Sequence, residues 1–225
     1  MSELVCIIGA RKGSRRIPGK NRQPLHGKPL YQWTLEAALA AGIFKNIIFS
    51  TDDDEIASGV EAFPVILDRR PPLLAGDDIG MMDVVAYLQD HYQEVAQACS
   101  ICLLTPCHPF RTARQIQEAC QEFALAYAPT LITITRFASP PEITLKRNGQ
   151  ILSGMPIKRL LKEEFEPSYY PDGAILVFDA AFFKQTKRFF DPAMTGFELC
   201  WPFSLDIDYP RDLETARLIA PCLLK

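Results

Sequence analysis

Between Gly9 and Asn21 the chain reads Gly-Ala-Arg-Lys-Gly-Ser-Arg-Arg-Ile-Pro-Gly-Lys-Asn, five cationic side chains and three glycines in one short stretch. It follows directly on an apolar run at residues 4–8. Fixed positive charge and backbone N–H groups laid open by glycine are what hold a polyphosphate. The spacing of a Walker A loop is absent, so these residues would do the same work in a different arrangement. A solvated basic turn is the alternative reading. Near the other end lies Asp206-Ile207-Asp208. In extended backbone, residues two apart share a face, so the two carboxylates are expected to ligate one hard cation such as Mg2+. Without its context the same pair reads as a solvated doublet.

These groups need a scaffold. Apolar runs at 4–8, 46–50, 64–67, 101–105, 131–135 and 174–178 read as strands, the first, second and fourth hydrophobic enough to be covered on both faces. Helical patterns fall at 30–41, ended by Gly42, and at 83–98, 112–127 and 213–219. That alternation predicts an α/β fold, a mostly parallel Rossmann-like sheet with helices on both faces. Ligands of such sheets bind beyond the carboxyl ends of the strands. The basic loop, Ser50-Thr51-Asp52-Asp53, Thr105-Pro106-Cys107-His108 and Asp206-Ile207-Asp208 all fall at those ends, which predicts one shared site. Residues 137–171 break the pattern with Pro140-Pro141, Asn148-Gly149, Gly154, Pro156 and Pro167. They read as an arm or lid inserted in a single domain spanning 1–225, with a hairpin turning at Asn148-Gly149.

Composition narrows the class. With 48% hydrophobic and 23% charged residues the chain is globular, and a net charge of -3 removes any general case for nucleic acid as partner. No apolar run approaches the length of a membrane span, and residues 1–4 carry no basic leader, so the expected compartment is the reducing cytoplasm. Of seven cysteines, Cys99 and Cys102 alone have a metal-like spacing. No second pair follows and a strand would turn them to opposite faces, so they read as ordinary thiols.

Six motifs in order resemble the acylneuraminate cytidylyltransferase family over nearly the whole chain. They are Ala10-Arg11-Lys12-Gly13-Ser14 through Lys20-Asn21; Ser50-Thr51-Asp52-Asp53; Arg70-Pro71 with Leu74-Ala75-Gly76-Asp77; Pro106-Cys107-His108-Pro109-Phe110-Arg111; Asp172-Gly173-Ala174-Ile175; and Asp206-Ile207-Asp208 with Asp212. The resemblance implies that Arg11, Lys20 and Asn21 hold the phosphates of CTP, with Ala10 and Ser14 in the same loop. Arg70 and backbone groups of that loop would read the base, and Asp206 and Asp208 would bind Mg2+. It implies catalysis by Arg11, Lys20 and Asp208: the anomeric hydroxyl of a sialic-acid-like sugar attacks the α-phosphorus of CTP and pyrophosphate leaves. It implies a homodimer whose inserted arm reaches the neighbouring site.

Departures gather on the acceptor side. Thr105 stands where a glutamine is common, His108 replaces a serine, Tyr170 an arginine and Asp172 an asparagine. All four are candidate substrate contacts. Exchanging arginine for tyrosine removes a bidentate carboxylate partner, and an ionised Asp172 cannot donate a hydrogen bond. Lys158, Arg159 and Lys162 could compensate. Arg111 is expected to pair with a carboxylate at the start of its helix, and Asp77 to cap one. The main expectation is therefore a Mg2+-dependent cytidylyltransferase for an acidic 2-keto sugar of the nonulosonate type. A different 2-keto sugar acid, or a noncatalytic nucleotide-binding protein of the same fold, are the alternatives.

Overall fold

A computed structural model describes residues 3–76, 78–154 and 166–224. Asp77, Lys158, Arg159 and Lys162 lie outside them. Strand β1 (Leu4–Gly9) leads through the basic loop and a small ribbon, β2 (Pro24–Leu25) and β3 (Lys28–Pro29), into helix α1 (Leu30–Ala41). Next come β4 (Asn46–Thr51), α2 (Asp54–Val60), β5 (Ile66–Arg69), α3 (Met81–His91), α4 (Gln93–Ala96), β6 (Ser100–Leu104) and α5 (Ala113–Leu125). Strand β7 (Thr130–Arg136), the ribbon β8 (Leu145–Asn148) and β9 (Ile151–Gly154), β10 (Tyr169–Asp179), α6 (Ala180–Thr186), β11 (Thr195–Glu198) and α7 (Pro210–Leu223) complete it.

Seven strands form one sheet in the order β11-β7-β10-β6-β1-β4-β5, with β10 alone running against the others. This is the mostly parallel α/β sheet expected from the alternation of strands and helices. Central β1 is apolar throughout because it serves two cores. Its Cys6 and Ile8 pack with α1, α2 and α5, while Val5 and Ile7 pack with α3, α4 and α6. A third cluster joins Leu213, Ala216 and Ala220 of α7 to Leu25, Leu30, Trp33 and Ile207. It clamps the last segment of the chain onto the start of α1. No helix among the described residues is long and apolar enough to cross a membrane.

Several boundaries differ from the sequence reading. The helix expected at 83–98 divides at Tyr92, whose extended backbone separates α3 from α4. The hairpin forms, but Asn148 pairs with Ile151, so its turn is Gly149-Gln150 with Gly149 at positive φ. Strand β11 has no apolar run long enough to announce it. Most informative is β10, which begins at Tyr169, inside the expected arm. Pro171 pairs with Ile134 and Leu176 with Ile132, so β10 advances five residues while β7 advances two. The bulge is closed by Asp172, whose carboxylate accepts from Thr133 Oγ1 (2.5 Å), Thr135 Oγ1 (2.9 Å) and the Ala174 amide (2.9 Å). Gly173, at φ 77°, makes the reversal that L side chains avoid.

Arg111 does not find the carboxylate expected of it, because the first turn of α5 contains no acid. Only 3% exposed, it donates through Nη1 to the carbonyls of Ala174 and Thr105 and through Nη2 to Thr34 Oγ1 at 2.9 Å. It thus ties β10, the loop after β6 and α1 together. Burial lowers its guanidinium to about 10, still cationic at neutral pH. Replacing it by methionine keeps the apolar stem and strands those acceptors, each at a cost of a buried unsatisfied group. Arg111→Met is expected to destabilise the fold by ~3 kcal/mol, read from the shift in a urea unfolding transition.

Candidate active site

Strand order reverses at β1: β4 and β5 are laid down on one side and β6 on the other. A parallel sheet opens a crevice where the order reverses, because the loops leaving the two strands diverge. The loops leaving β1 and β6 here bound a cavity of about 440 Å³. Arg11, Arg15, Arg16, Lys20 and Arg70 contribute positive charge to its wall, facing Asp208; Ser14, Asn21, Thr105 and Cys107 line it too.

The basic loop is braced from behind. Its Lys12 amide donates to Asp52 Oδ1 at 2.7 Å, and Asn21 Nδ2 closes the loop on the Arg11 carbonyl at 2.9 Å. Ala10 lies behind the wall with both backbone groups engaged, its N–H to Ser50 and its carbonyl to Thr51 Oγ1. Asp53 caps α2 through the Glu55 and Ile56 amides and pairs with Arg22. The Ser50–Asp53 motif therefore supports the cavity rather than lining it. Arg70, 7% exposed, lies across the end of β4 with Nε on Ser50 Oγ and Nη2 on the Ser50 carbonyl, both 3.1 Å. Burial lowers its pKa. Gly9 permits this packing, since a Cβ there would sit 2.6 Å from Met81 Sδ and 3.2 Å from Arg70 Nη2.

Lys20 joins the two ends of the chain. Its Nζ donates to the Ile207 carbonyl (2.9 Å) and to Asp208 Oδ1 (3.1 Å). Arg16, which the sequence reading did not single out from its neighbours, pairs with Asp208 Oδ2 at 2.8 Å and lies over the Tyr209 ring. Asp208 is set by the first turn of α7, where Asp212 Oδ2 accepts from the Asp208 and Tyr209 amides. Burial alone would raise the Asp208 pKa, but the hydrogen bond and charge of Lys20, with Arg16, bring it below the ordinary value. Asp206 moves the other way. Burial raises its pKa, Asp208 adds to that, and the Cys107 hydrogen bond opposes it.

Residues 205–208 form no strand. Asp208 opens on the cationic cavity, while Asp206 lines a second one of about 590 Å³ with Arg136, Tyr170, Asp172 and Trp201. The two cavities meet at Cys107 and Asp206, whose Sγ and carboxylate lie within 4.8 Å. Arg136 and Trp201 carried no sequence signal; only the fold brings them beside Tyr170. The fit to Mg2+ rests on the oxygen donors: Asp206 Oδ1 is buried without a hydrogen-bond partner, and Asp208 is two residues on.

His108 lies behind both cavities, 2% exposed. Thr105 Oγ1 donates to the Gly173 carbonyl at 3.0 Å and lies 2.9 Å from His108 Nδ1, the ring nitrogen that is also 3.5 Å from Cys107 Sγ. Burial, reinforced by the Arg111 charge, pushes the imidazole down to about 3.

A protein-family model described as "Cytidylyltransferase" matches residues 5–218. The chain is 28% identical over 209 residues to an N-acylneuraminate cytidylyltransferase of Streptococcus agalactiae serotype V, and 29% over 220 residues to one of Escherichia coli O18:K1:H7. Those alignments cover 91% and 96% of this chain but 50% and 51% of the relatives, so the chain spans about half their length. It is 28% identical over 224 residues to a pseudaminic acid cytidylyltransferase of Campylobacter jejuni, covering 96% of this chain and 95% of that protein. Its fold is similar to a solved CMP:2-keto-3-deoxy-manno-octonic acid synthetase complexed with CTP, with a TM-score of 0.72, 20% identity, and 99% and 100% of the two chains covered.

The neutrality of His108 has a pH signature. An unfolded histidine takes up a proton below its ordinary value of 6.5, which the folded one refuses until about 3. The unfolded state then binds more protons, so stability falls as the pH drops through that interval, by up to about 1.4 kcal/mol per pH unit. In chelator-treated protein, His108→Asn is expected to flatten the dependence of unfolding free energy on pH between about 6 and 4 relative to the parent.

Proposed function

Because the chain belongs to the cytidylyltransferase family, we propose that it transfers the cytidylyl group of CTP to the anomeric hydroxyl of an acidic 2-keto sugar, releasing pyrophosphate. The observation that carries this reading is the meeting of five cationic side chains with Asp208 in one cavity at the β1/β6 crevice. The hydroxyl oxygen forms a bond to the α-phosphorus, the bond from that phosphorus to the α–β bridging oxygen breaks, and the hydroxyl proton is released. Negative charge grows on the non-bridging oxygens and on the leaving pyrophosphate, so fixed cations aimed at them lower the barrier. Arg11, Lys20 and Arg16 serve that purpose. Lys20 and Arg16 exchange Asp208 for phosphate oxygens as the nucleotide enters. Asn21 and Ser14 shape the phosphate loop, and Arg70 lies against the nucleoside end. Asp206 and Asp208 would hold Mg2+, which when bound neutralises triphosphate charge and lowers the pKa of a coordinated hydroxyl.

The second cavity suits the acceptor. Tyr170 and Trp201 offer faces for a sugar ring, and Arg136 supplies a cation for its carboxylate where Tyr170 cannot. The Asp172 carboxylate is engaged by Thr133, Thr135 and Ala174, so Asp172 shapes this wall. Thr105 holds the boundary between cavities by bonding His108 and Gly173. The relatives are named for N-acylneuraminate and pseudaminic acid, and the structural neighbour for 2-keto-3-deoxy-manno-octonic acid. That spread supports the broad class of acidic 2-keto sugars over a sialic-acid-like nonulosonate in particular. One domain with an inserted arm, a homodimer and a cytoplasmic location complete the reading.

Pyrophosphate release with Mg2+, each of CTP, UTP, GTP and ATP, and a panel of 2-keto sugar acids tests it. Activity with CTP and at least one acid is expected. CTP binding without release for any acid would favour a noncatalytic role. Lys20→Ala is expected to lower kcat/KM for CTP by about 10²–10³ with an unchanged circular dichroism spectrum. Asp208→Asn is expected to cut Mg2+-dependent turnover by about 10², whereas an unaltered Mg2+ titration removes Asp208 from the metal site.

A further inference from the structure

Each oxygen of Asp208 accepts from a cation. Lys20 Nζ donates to Oδ1 at 3.1 Å and Arg16 Nη1 to Oδ2 at 2.8 Å. The two donors differ in what else they hold. Lys20, with 18% of its side chain exposed, also donates to the Ile207 carbonyl and belongs to the join between the two ends of the chain. Arg16 is 50% exposed; besides Asp208 it meets the face of the Tyr209 ring, 4.9 Å from the centroid. Both line the cationic cavity, as Asp208 does.

We propose that Arg16 is a positioning residue that withholds Asp208 from a divalent cation until a triphosphate draws the guanidinium away, so that metal and nucleotide bind this chain cooperatively. The proposal rests on the reading of Asp208 as a metal ligand and adds when it becomes one. A dication approaching Asp208 meets two positive charges already bonded to it, and a carboxylate with 35% of its side chain exposed is screened only in part by water. A triphosphate reverses that balance. It offers Arg16 and Lys20 more negative charge than one carboxylate does, and a guanidinium fork matches phosphate as well as it matches carboxylate.

The surroundings suit an exchange confined to side chains. Asp212 Oδ2 accepts from the Asp208 and Tyr209 amides and so holds the backbone beneath the carboxylate while its partners change. The Tyr209 ring offers the departing guanidinium a face to rest on. Once released, Asp208 can act with Asp206, whose Oδ1 is buried without a hydrogen-bond partner. Linkage makes the effect reciprocal: the factor by which nucleotide raises metal affinity is the factor by which metal raises nucleotide affinity. A cavity walled by five cationic side chains thus takes its metal together with the triphosphate rather than ahead of it.

The test titrates the whole chain, without nucleotide or sugar, with Mn2+ as a paramagnetic substitute for Mg2+, following the free ion by electron paramagnetic resonance. Arg16→Met is expected to bind Mn2+ at least about tenfold more tightly than the parent. Its circular dichroism spectrum should not change, since Arg16 is half exposed. Arg16→Lys keeps the charge and is expected to restore most of the parent's weak binding. Lys12→Met removes a cation of the same loop from outside the cavity lining and is expected to change affinity by less than about threefold. In an Asp208→Asn background Arg16→Met should bring no gain, because the comparison isolates the pair. Calorimetry with the α,β-methylene analogue of CTP reads the coupling itself: Mg2+ is expected to tighten its binding by a larger factor in the parent than in Arg16→Met. Equal Mn2+ affinity in parent and Arg16→Met, no measurable binding by either, a gain that survives Asp208→Asn or is matched by Lys12→Met, or equal coupling in the two proteins overturns the proposal. None of these readouts involves the acceptor or turnover. Pyrophosphate release therefore judges the cytidylyltransferase reading separately, and its absence leaves the Mn2+ comparison standing.

Discussion

A lysine ammonium between two distant backbones holds the site together. Lys20 reaches from the first loop to the Ile207 carbonyl and the Asp208 carboxylate, across 187 and 188 residues of sequence. Each end has bracing of its own, the basic loop through Asp52 and Asn21 and residues 207–208 through Cys107 and Asp212. Lys20 adds the bond between them and sets a carboxylate against the like charge of the loop, beside a segment, 205–208, that has no secondary structure of its own. Joining them converts two polar segments into one wall whose cations already point inward. An arriving triphosphate therefore inherits an arrangement of charge that has been organised during folding, which is where electrostatic catalysis gains most.

Around this link the polar interior is unusually consequential. Arg111, Thr34, Thr105, His108, Thr133, Thr135 and Asp172 are buried or half-buried and bond chiefly to backbone carbonyls and to one another. They occupy the seam where antiparallel β10 enters an otherwise parallel sheet. The bulge takes the carbonyls of Gly173, Ala174 and Ile175 out of the ladder with β7, and Thr105, Arg111 and Thr133 donate to them. Several acceptor-side departures from the family pattern fall on this seam. Some of what reads in sequence as altered specificity is thus altered support.

The legibility of the chain followed its physics. Runs such as residues 4–8 and 101–105 were plain because a strand covered on both faces must be apolar throughout, and the crevice followed from alternation and strand ends. The basic loop and the Asp206/Asp208 pair were visible because charge is expensive to place without purpose. What escaped depended on tertiary accident. Arg16 and Arg15 are indistinguishable until Tyr209 and Asp208 draw one of them in. Arg136 and Trp201 are unremarkable residues that come beside Tyr170 only because β7 pairs with β10 on one side and with β11 on the other. Arg111 was expected to meet an acid, since periodicity along α5 says nothing of the carbonyls above it.

The bulge between Pro171 and Leu176 has a consequence for how such a protein can change. Because Asp172 and Gly173 fix that bulge, the pairs at residues 169–171 and those from Leu176 onward lie in two separate registers on β7. A change of length between β7 and β10 would meet the pairs at residues 169–171 first, and the bulge stands between them and the paired residues at Leu176. The wall of the second cavity at Tyr170 and the strand that borders β6 thus belong to one chain segment in two registers, parted by a single carboxylate among threonines.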